Sequence, residues 1–338
     1  GYMSPKRLGV AGFGLIWDQM HKEIVLGMPD VFQVSALSAS SDRSAAKAAA
    51  QYPSLPFTKD YRELIAHPDV DMVFVQTPIP MTVPVVIEAL RAGKDVITEK
   101  PLGGNCEDAS SVVRAVRETK RKLYVLENSY YQPRWGEIAA IVNSGAIGTP
   151  VQYEQTAHMP VDPIVNTAAN YGTTPWRITP GYALGFLLDA GIHQMCALSK
   201  VFGHAHHVQA VSVKLRPEYG DIDQAVVLFE HERELHGIFS HSCMLGPQRN
   251  YFFIRGTKGL IEVAHDEAII LGDDGSEKRV VLDPSAGYRE MWAAVGAAVT
   301  RGEEAAYTAE LAAMDVCLVD AVGRALAAKA RTAVTPGF

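Results

Sequence analysis

The chain has 338 residues, 48% of them hydrophobic and 20% charged, enough for a full core and, by length, for two domains. Its formal net charge is −7, with no basic run and no basic–aromatic interleaving, which argues against nucleic acid as a partner. No run of about 18 apolar residues occurs, so no membrane-spanning helix is expected. No apolar run long enough for a signal peptide precedes the first strand, so a cytoplasmic location is expected, and Gly1 and Tyr2 ahead of Met3 read as an addition to the natural start.

In chain order, apolar residues 8–11 read as a strand running into Gly12-Phe13-Gly14, then a helix over 16–26. A strand at 31–37, an alanine-rich helix at 44–51 and a shorter helix at 61–66 follow. VDMVFVQTP, residues 70–78, is a continuous apolar run ending in a turn, the pattern of a strand buried on both faces. A helix over 82–92 ends on Gly93, and a strand at 95–98, a helix over 107–120 and a strand at 123–126 complete the half. This alternation predicts an α/β fold with a doubly wound parallel sheet over residues 1–127.

From about residue 150 the texture changes. VQYEQTAHM, HHVQAVSVKL, DQAVVLFEHE, ELHGIFSHSC, NYFFIRG, LIEVA and AIILG read as successive strands, and helices are expected at 287–300 and 308–329. Residues 128–338 are therefore expected to form a second α/β domain around a large, mostly antiparallel open sheet. The four cysteines, Cys106, Cys196, Cys243 and Cys317, lie far apart without CxxC spacing and read as reduced thiols, mostly buried. His204, His206 and His207 lie between a helix end and a strand and read as solvated loop residues, so no metal site is expected.

Three motifs carry chemistry. Gly12 and Gly14 occupy a strand-to-helix turn near the N-terminus, where backbone can approach a pyrophosphate, although Trp17 stands where the third glycine of GxGxxG belongs. The second strand ends in ALSASSDR, with Ser38, Ser40 and Ser41 in place of the ribose-binding carboxylate and Arg43 beyond them. That favours NADP over NAD, because nothing repels a 2′-phosphate and an arginine can pair with one. The same residues also fit a helix cap followed by a first-turn arginine. VITEKPLGG places Glu99 and Lys100 at the end of the strand predicted at 95–98, where ligands of an open α/β sheet bind, with Pro101 biasing Lys100 away from helix. GFLLDAGIHQM carries Asp189 and His193 four apart in an apolar segment; on a helix they share one face, and burying them calls for mutual pairing or a substrate.

GxG, EKP, PWRITPGYALGFLLDAGIH and a late RGTKGLIEV occur in that order. The chain resembles the glucose–fructose oxidoreductase / inositol dehydrogenase (Gfo/Idh/MocA) family along essentially its whole length, and SASSDR resembles the NADPH-using 1,5-anhydrofructose reductase branch. The resemblance implies a Rossmann domain followed by an α/β domain whose open sheet pairs copies into a dimer or tetramer. It implies Lys100, Asp189 and His193 as catalytic residues. It implies cofactor contacts at Gly12, Phe13, Gly14, Leu15 and Ile16, at Thr77 and Pro78, at Glu99 and Asn128, and near Trp176 and Arg177.

Departures from the family pattern are Trp17, Thr82 for a histidine, Ala183-Leu184-Gly185 for three glycines, and ENSYYQP, which offers Tyr130 and Tyr131 as polar contacts. The expected reaction is hydride transfer between nicotinamide and a secondary alcohol or ketone of a sugar or polyol. His193 is the expected acid/base, Asp189 its orienting partner, and Lys100 the donor to the reacting oxygen, or Lys100 and His193 exchange these two roles. A catalytically silent dinucleotide-binding regulator and a cofactor-retaining elimination enzyme are the competing readings.

Overall fold

The computed structural model describes residues 4–160, 181–216 and 222–338. Its first sheet is parallel and six-stranded: β1 (Lys6–Ala11), β2 (Phe32–Ser38), β3 (Phe57–Thr58), β4 (Met72–Val75), β5 (Asp95–Glu99) and β6 (Leu123–Leu126). The order is β3-β2-β1-β4-β5-β6. β4 and β6 are buried at every position, as continuous apolar runs require when both faces of a sheet are covered. The order reverses between β1 and β4, which opens a crevice at the carboxyl ends of those strands.

The covering helices follow the strands as expected. α1 is π-helical over Trp17–His21 and α-helical over Lys22–Leu26. α2 (Asp42–Gln51), α3 (Tyr61–Ala66), α4 (Ile79–Arg91) and α5 (Cys106–Thr119) come next. Ser41 accepts from the Ser44 N–H and Asn105 from the Asp108 N–H, so each satisfies a free donor at a helix start.

The second sheet is nine-stranded, ordered β14-β13-β12-β11-β7-β10-β9-β8-β15. Its strands are β7 (Pro150–His158), β8 (His207–Val213), β9 (Gln224–Glu230), β10 (His236–Ser242), β11 (Phe252–Gly256), β12 (Gly259–Val263), β13 (Glu267–Gly272), β14 (Glu277–Val281) and β15 (Thr332–Ala333). β7 and β10 run parallel and every other neighbouring pair runs antiparallel. Gly237 faces Tyr153 across that parallel pair, and a Cβ there would lie 2.0 Å from the tyrosine ring. Glycine leaves the room in which Tyr153 stacks on Phe202, ring centroids 4.2 Å apart.

Helices α6 (Pro133–Asn143), α7 (Phe186–Asp189), α8 (Gly191–Phe202), α9 (Tyr288–Arg301) and α10 (Ala309–Ala328) join the two sheets. One apolar core runs from Val73 and Val86 of the first sheet's layers through Leu188 and Leu198 to Val319 and Val322 of α10. A second surrounds Trp17, Phe74 and Trp292, so α9 seals the outer face of the first sheet. No helix among the described residues is long and apolar enough to cross a membrane.

Two sequence expectations fail here. Cys106 and Cys317 form a disulfide, because α10 packs along α5 and brings their Cα atoms to 4.3 Å; Cys196 and Cys243 are buried free thiols. His204 is not a solvated loop residue: its Nε2 lies 2.7 Å from Oδ1 of the buried Asp315, whose other oxygen accepts from Tyr307. Among the described residues, no group of three or more His, Cys, Asp or Glu side chains could hold a metal ion.

Candidate active site

The crevice at the carboxyl ends of β1, β2, β4 and β5 is a cleft of about 570 Å³. Gly12, Phe13, Gly14, Leu15, Ile16, Ser38, Ser40, Thr77, Pro78, Glu99 and Lys100 line it, as does Asp189. Gly12 has φ +86°, and a Cβ there would meet the Gln76 carbonyl oxygen at 2.5 Å, so both backbone and space demand glycine. A Cβ on Gly14 would meet nothing within 4 Å, which leaves open cleft against its backbone. Gln76 Oε1 and Thr77 Oγ1 are buried beside the loop without hydrogen-bond partners. A dinucleotide fits this cradle: phosphates approach the glycine backbone, and amide and ribose groups can meet the two orphaned oxygens.

Trp17 is accommodated by the π-helical turn. It is fully buried, edge-on to Phe74, and donates from Nε1 to Tyr52 Oη at 3.1 Å. Lys47 reaches back from α2 to the Phe13 carbonyl and to Asp18 at 2.7 Å, pinning the loop. At the far end, Ser40, Ser41, Ser44, Lys59 and Tyr61 line the cleft with no carboxylate among them. Arg43 is exposed and outside that lining, while Lys59 pairs with Asp42.

Glu99, Lys100, Ile16 and Asp189 also line a smaller cavity of about 190 Å³, with Asn128, His193 and Tyr288. The Lys100 ammonium donates to the Asp189 carbonyl and lies 3.3 Å from its Oδ1; both side chains are largely buried. Glu99 is bonded to the fully buried His21. Trp292 Nε1 donates to His21 Nδ1 at 3.1 Å, so His21 presents its Nε2–H to the Glu99 carboxylate. Asn128 donates to the Ala286 carbonyl at 2.8 Å and so ties the cavity wall to the segment before α9.

Asp189 and His193 do not share one continuous helix. The first ends α7 and the second lies in α8, with Ala190 at φ −112° between them. The carboxylate on His193 Nδ1 is Glu127 Oε2, at 2.6 Å. Glu127 follows β6 and is fully buried. Burial would raise its pKa, but His193, Lys100 and the Ser129 N–H outweigh it and hold the group below the ordinary carboxylate range. With Nδ1–H given to Glu127, Nε2 is the nitrogen of His193 left to exchange a proton.

Other residues fall outside this centre. Thr82 is buried and donates to the Pro78 carbonyl at 3.4 Å. Tyr130 and Tyr131 pack against each other, Tyr131 Oη accepts from the Tyr307 N–H, and neither lines the reaction cavity. Leu184, where the family pattern has glycine, takes φ +72°. Trp176 and Arg177 lie outside the described residues. Sequence reasoning missed Glu127, His21 and Trp292; only Glu127 carried a signal, a charge at a strand's carboxyl end like that of Glu99-Lys100.

Family models agree with this geometry. One described as "Oxidoreductase family, NAD-binding Rossmann fold" matches residues 6–127, and the GFO/IDH/MocA C-terminal domain matches 135–262. An uncharacterised protein of Saccharomyces cerevisiae is 30% identical over 270 residues, 77% of this chain and 74% of that protein. A trans-1,2-dihydrobenzene-1,2-diol dehydrogenase of Macaca fuscata fuscata is 29% identical over 287 residues, covering 82% of this chain and 80% of that protein. A Thermotoga maritima oxidoreductase superposes with a TM-score of 0.87 at 25% identity, covering 98% of each chain. Levoglucosan dehydrogenase, solved with NADH and levoglucosan, superposes at 0.82 with 19% identity over 98% of this chain and 100% of that one, a likeness of fold. The chain belongs to the Gfo/Idh/MocA family of oxidoreductases, with an NAD-binding Rossmann fold ahead of the family's C-terminal domain.

Proposed function

We propose that this protein transfers hydride between a nicotinamide cofactor and a secondary alcohol or ketone of a sugar, polyol or related small molecule. The observation that carries the reading is the meeting of Lys100, Asp189 and His193 around a cavity continuous with the dinucleotide cleft. A nicotinamide bound there supplies the hydride chemistry. Lys100, held by Asp189, donates to the reacting oxygen and stabilises charge developing on it. His193 moves the proton at Nε2, with Glu127 holding its Nδ1. Glu99, fixed by His21, borders both cavities and orients the cofactor's reactive end. Named relatives that oxidise a dihydrodiol and levoglucosan support hydroxylated substrates.

The preferred cofactor is NADP. Support comes from the serines, Lys59 and missing carboxylate at the far end of the cleft. The assay is fluorescence titration with both reduced cofactors, followed by a sugar and polyol panel read by cofactor absorbance. Ser40→Asp should weaken the phosphorylated cofactor selectively, and equal weakening of both would remove the preference. Cofactor binding without turnover of any hydroxylated compound would overturn hydride transfer. The outer face of the second sheet exposes Val151, Val211, Val213 and Ile238, which supports a homo-oligomer paired through that face; a monomer by light scattering at micromolar concentration would overturn this.

A further inference from the structure

A second cavity, of about 560 Å³, opens beside the reaction centre, and His193 lines both. Three side chains around it carry buried polar atoms without hydrogen-bond partners: Arg134 Nε from α6, Gln155 Oε1 from β7 and Gln194 Oε1 from α8. Gln155 is only 8% exposed. Folded proteins leave few such atoms unpaired, and three on side chains that line one cavity call for a ligand.

The lining also has a sign. None of its described residues is Asp or Glu, although the chain as a whole carries a charge of −7, while Arg134, His193 and His265 are all present. The half-buried Arg134 donates from a terminal nitrogen to the Ala264 carbonyl at 2.8 Å, and its guanidinium lies 5.0 Å from the Trp135 ring centre. Burial acts against its charge, and Glu137 offsets only part of that. A guanidinium so placed is matched by a carboxylate, and two amide oxygens are matched by hydroxyl donors.

We propose that this cavity is a substrate subsite for a polyhydroxylated carboxylate, so that the protein acts on sugar acids in preference to neutral sugars. The inference rests on the hydride-transfer reading and names its substrate class. The substrate's carboxylate pairs with Arg134, its hydroxyls donate to Gln155 and Gln194, and its reacting carbon lies on the far side of His193.

The test uses matched probes: D-galacturonate against D-galactose, and D-gluconate against D-glucitol. Calorimetry on the protein saturated with reduced cofactor gives affinities, and cofactor absorbance gives turnover. At least one acid should bind tenfold or more tightly than its neutral partner. Arg134→Met should erase that difference without weakening the neutral compound, Arg134→Lys should retain part of it, and Gln155→Leu should weaken both. Arg134→Lys keeps the positive charge and so covers the case in which Arg134→Met does not fold. Equal affinity for acid and neutral partner, binding of neither, or equal weakening of both by Arg134→Met overturns the subsite. Turnover of neutral sugars with no acid preference overturns the subsite and leaves hydride transfer standing. Arg134-dependent acid binding without any turnover supports the subsite and removes hydride transfer.

Discussion

Glu127 Oε2 lies 2.6 Å from His193 Nδ1, and Glu127 has no solvent exposure. A buried carboxylate against a histidine that faces a reaction cavity fixes the ring's direction and its tautomer. Glu127→Gln keeps the shape and removes the charge. Turnover should fall by roughly 10- to 100-fold. Cofactor affinity should change little, since Glu127 does not line the cofactor cleft. Turnover close to that of the unaltered protein would assign proton transfer to another group.

Lys100 and Asp189 form a largely buried pair. Lys100→Met should lower turnover by roughly 10²-fold, with a much smaller change in cofactor affinity. It also takes the lysine away from a buried carboxylate, a loss that costs about 3–5 kcal/mol in comparable pairs. Adding Asp189→Asn should therefore restore the melting temperature but not the activity. Recovery of activity in the double variant would reduce the pair to a structural role.

Trp292→Phe removes the donor that His21 Nδ1 uses inside the second core. The unsatisfied nitrogen should cost about 1–3 kcal/mol, read as a lower melting temperature. Glu99, no longer offered a fixed His21 tautomer, should orient the cofactor less well and raise its KM. Trp292→Phe and Glu99→Gln should be non-additive in cofactor KM; additive effects would separate α9 from the cofactor cleft.

Burial lowers His231 to about 4 and His241 to about 3. In the unfolded chain both titrate near the ordinary histidine value, about 6.5. Between about pH 6.5 and 4 the unfolded chain therefore binds protons that the folded one does not, and stability falls as pH falls through that window. The loss from His231 reaches roughly 3 kcal/mol at pH 4, at about 1.4 kcal/mol per pH unit. Melting temperatures across this range should show the slope. His231→Gln, whose amide oxygen can accept from Tyr153, should make it shallower and leave the share of His241.

Strand–helix alternation made five of the first sheet's six strands legible, all but the two-residue β3, because periodicity and glycine punctuation are local signals. Gly12, Lys100 and His193 were legible for a related reason: each sits where a strand or helix end must face the crevice. β14 was not, since Glu277–Val281 is mostly exposed and lacks an inward apolar face. The pairing of His193 with Glu127 was hidden because 66 positions separate them and the closer candidate, Asp189, had the right chemistry. Ala190 turns the chain between the two, so a spacing that a continuous helix would place on one face joins two short elements instead. Arg43 fitted a phosphate by type and sequence position, but the first turn of α2 directs it to solvent while Lys59, from the loop after β3, lines the cleft.

The bridge between Cys106 and Cys317 turns 211 positions of chain into a closed ring. The glycine loop, Glu99 and Lys100 lie outside that ring, on the N-terminal tail, whereas Glu127, Asp189 and His193 lie on it. A protease cut anywhere on the ring therefore releases nothing: the fragments remain one molecule, with both halves of the catalytic set still tethered. Electrophoresis of nicked protein should show a single full-mass band without reductant and two shorter ones with it.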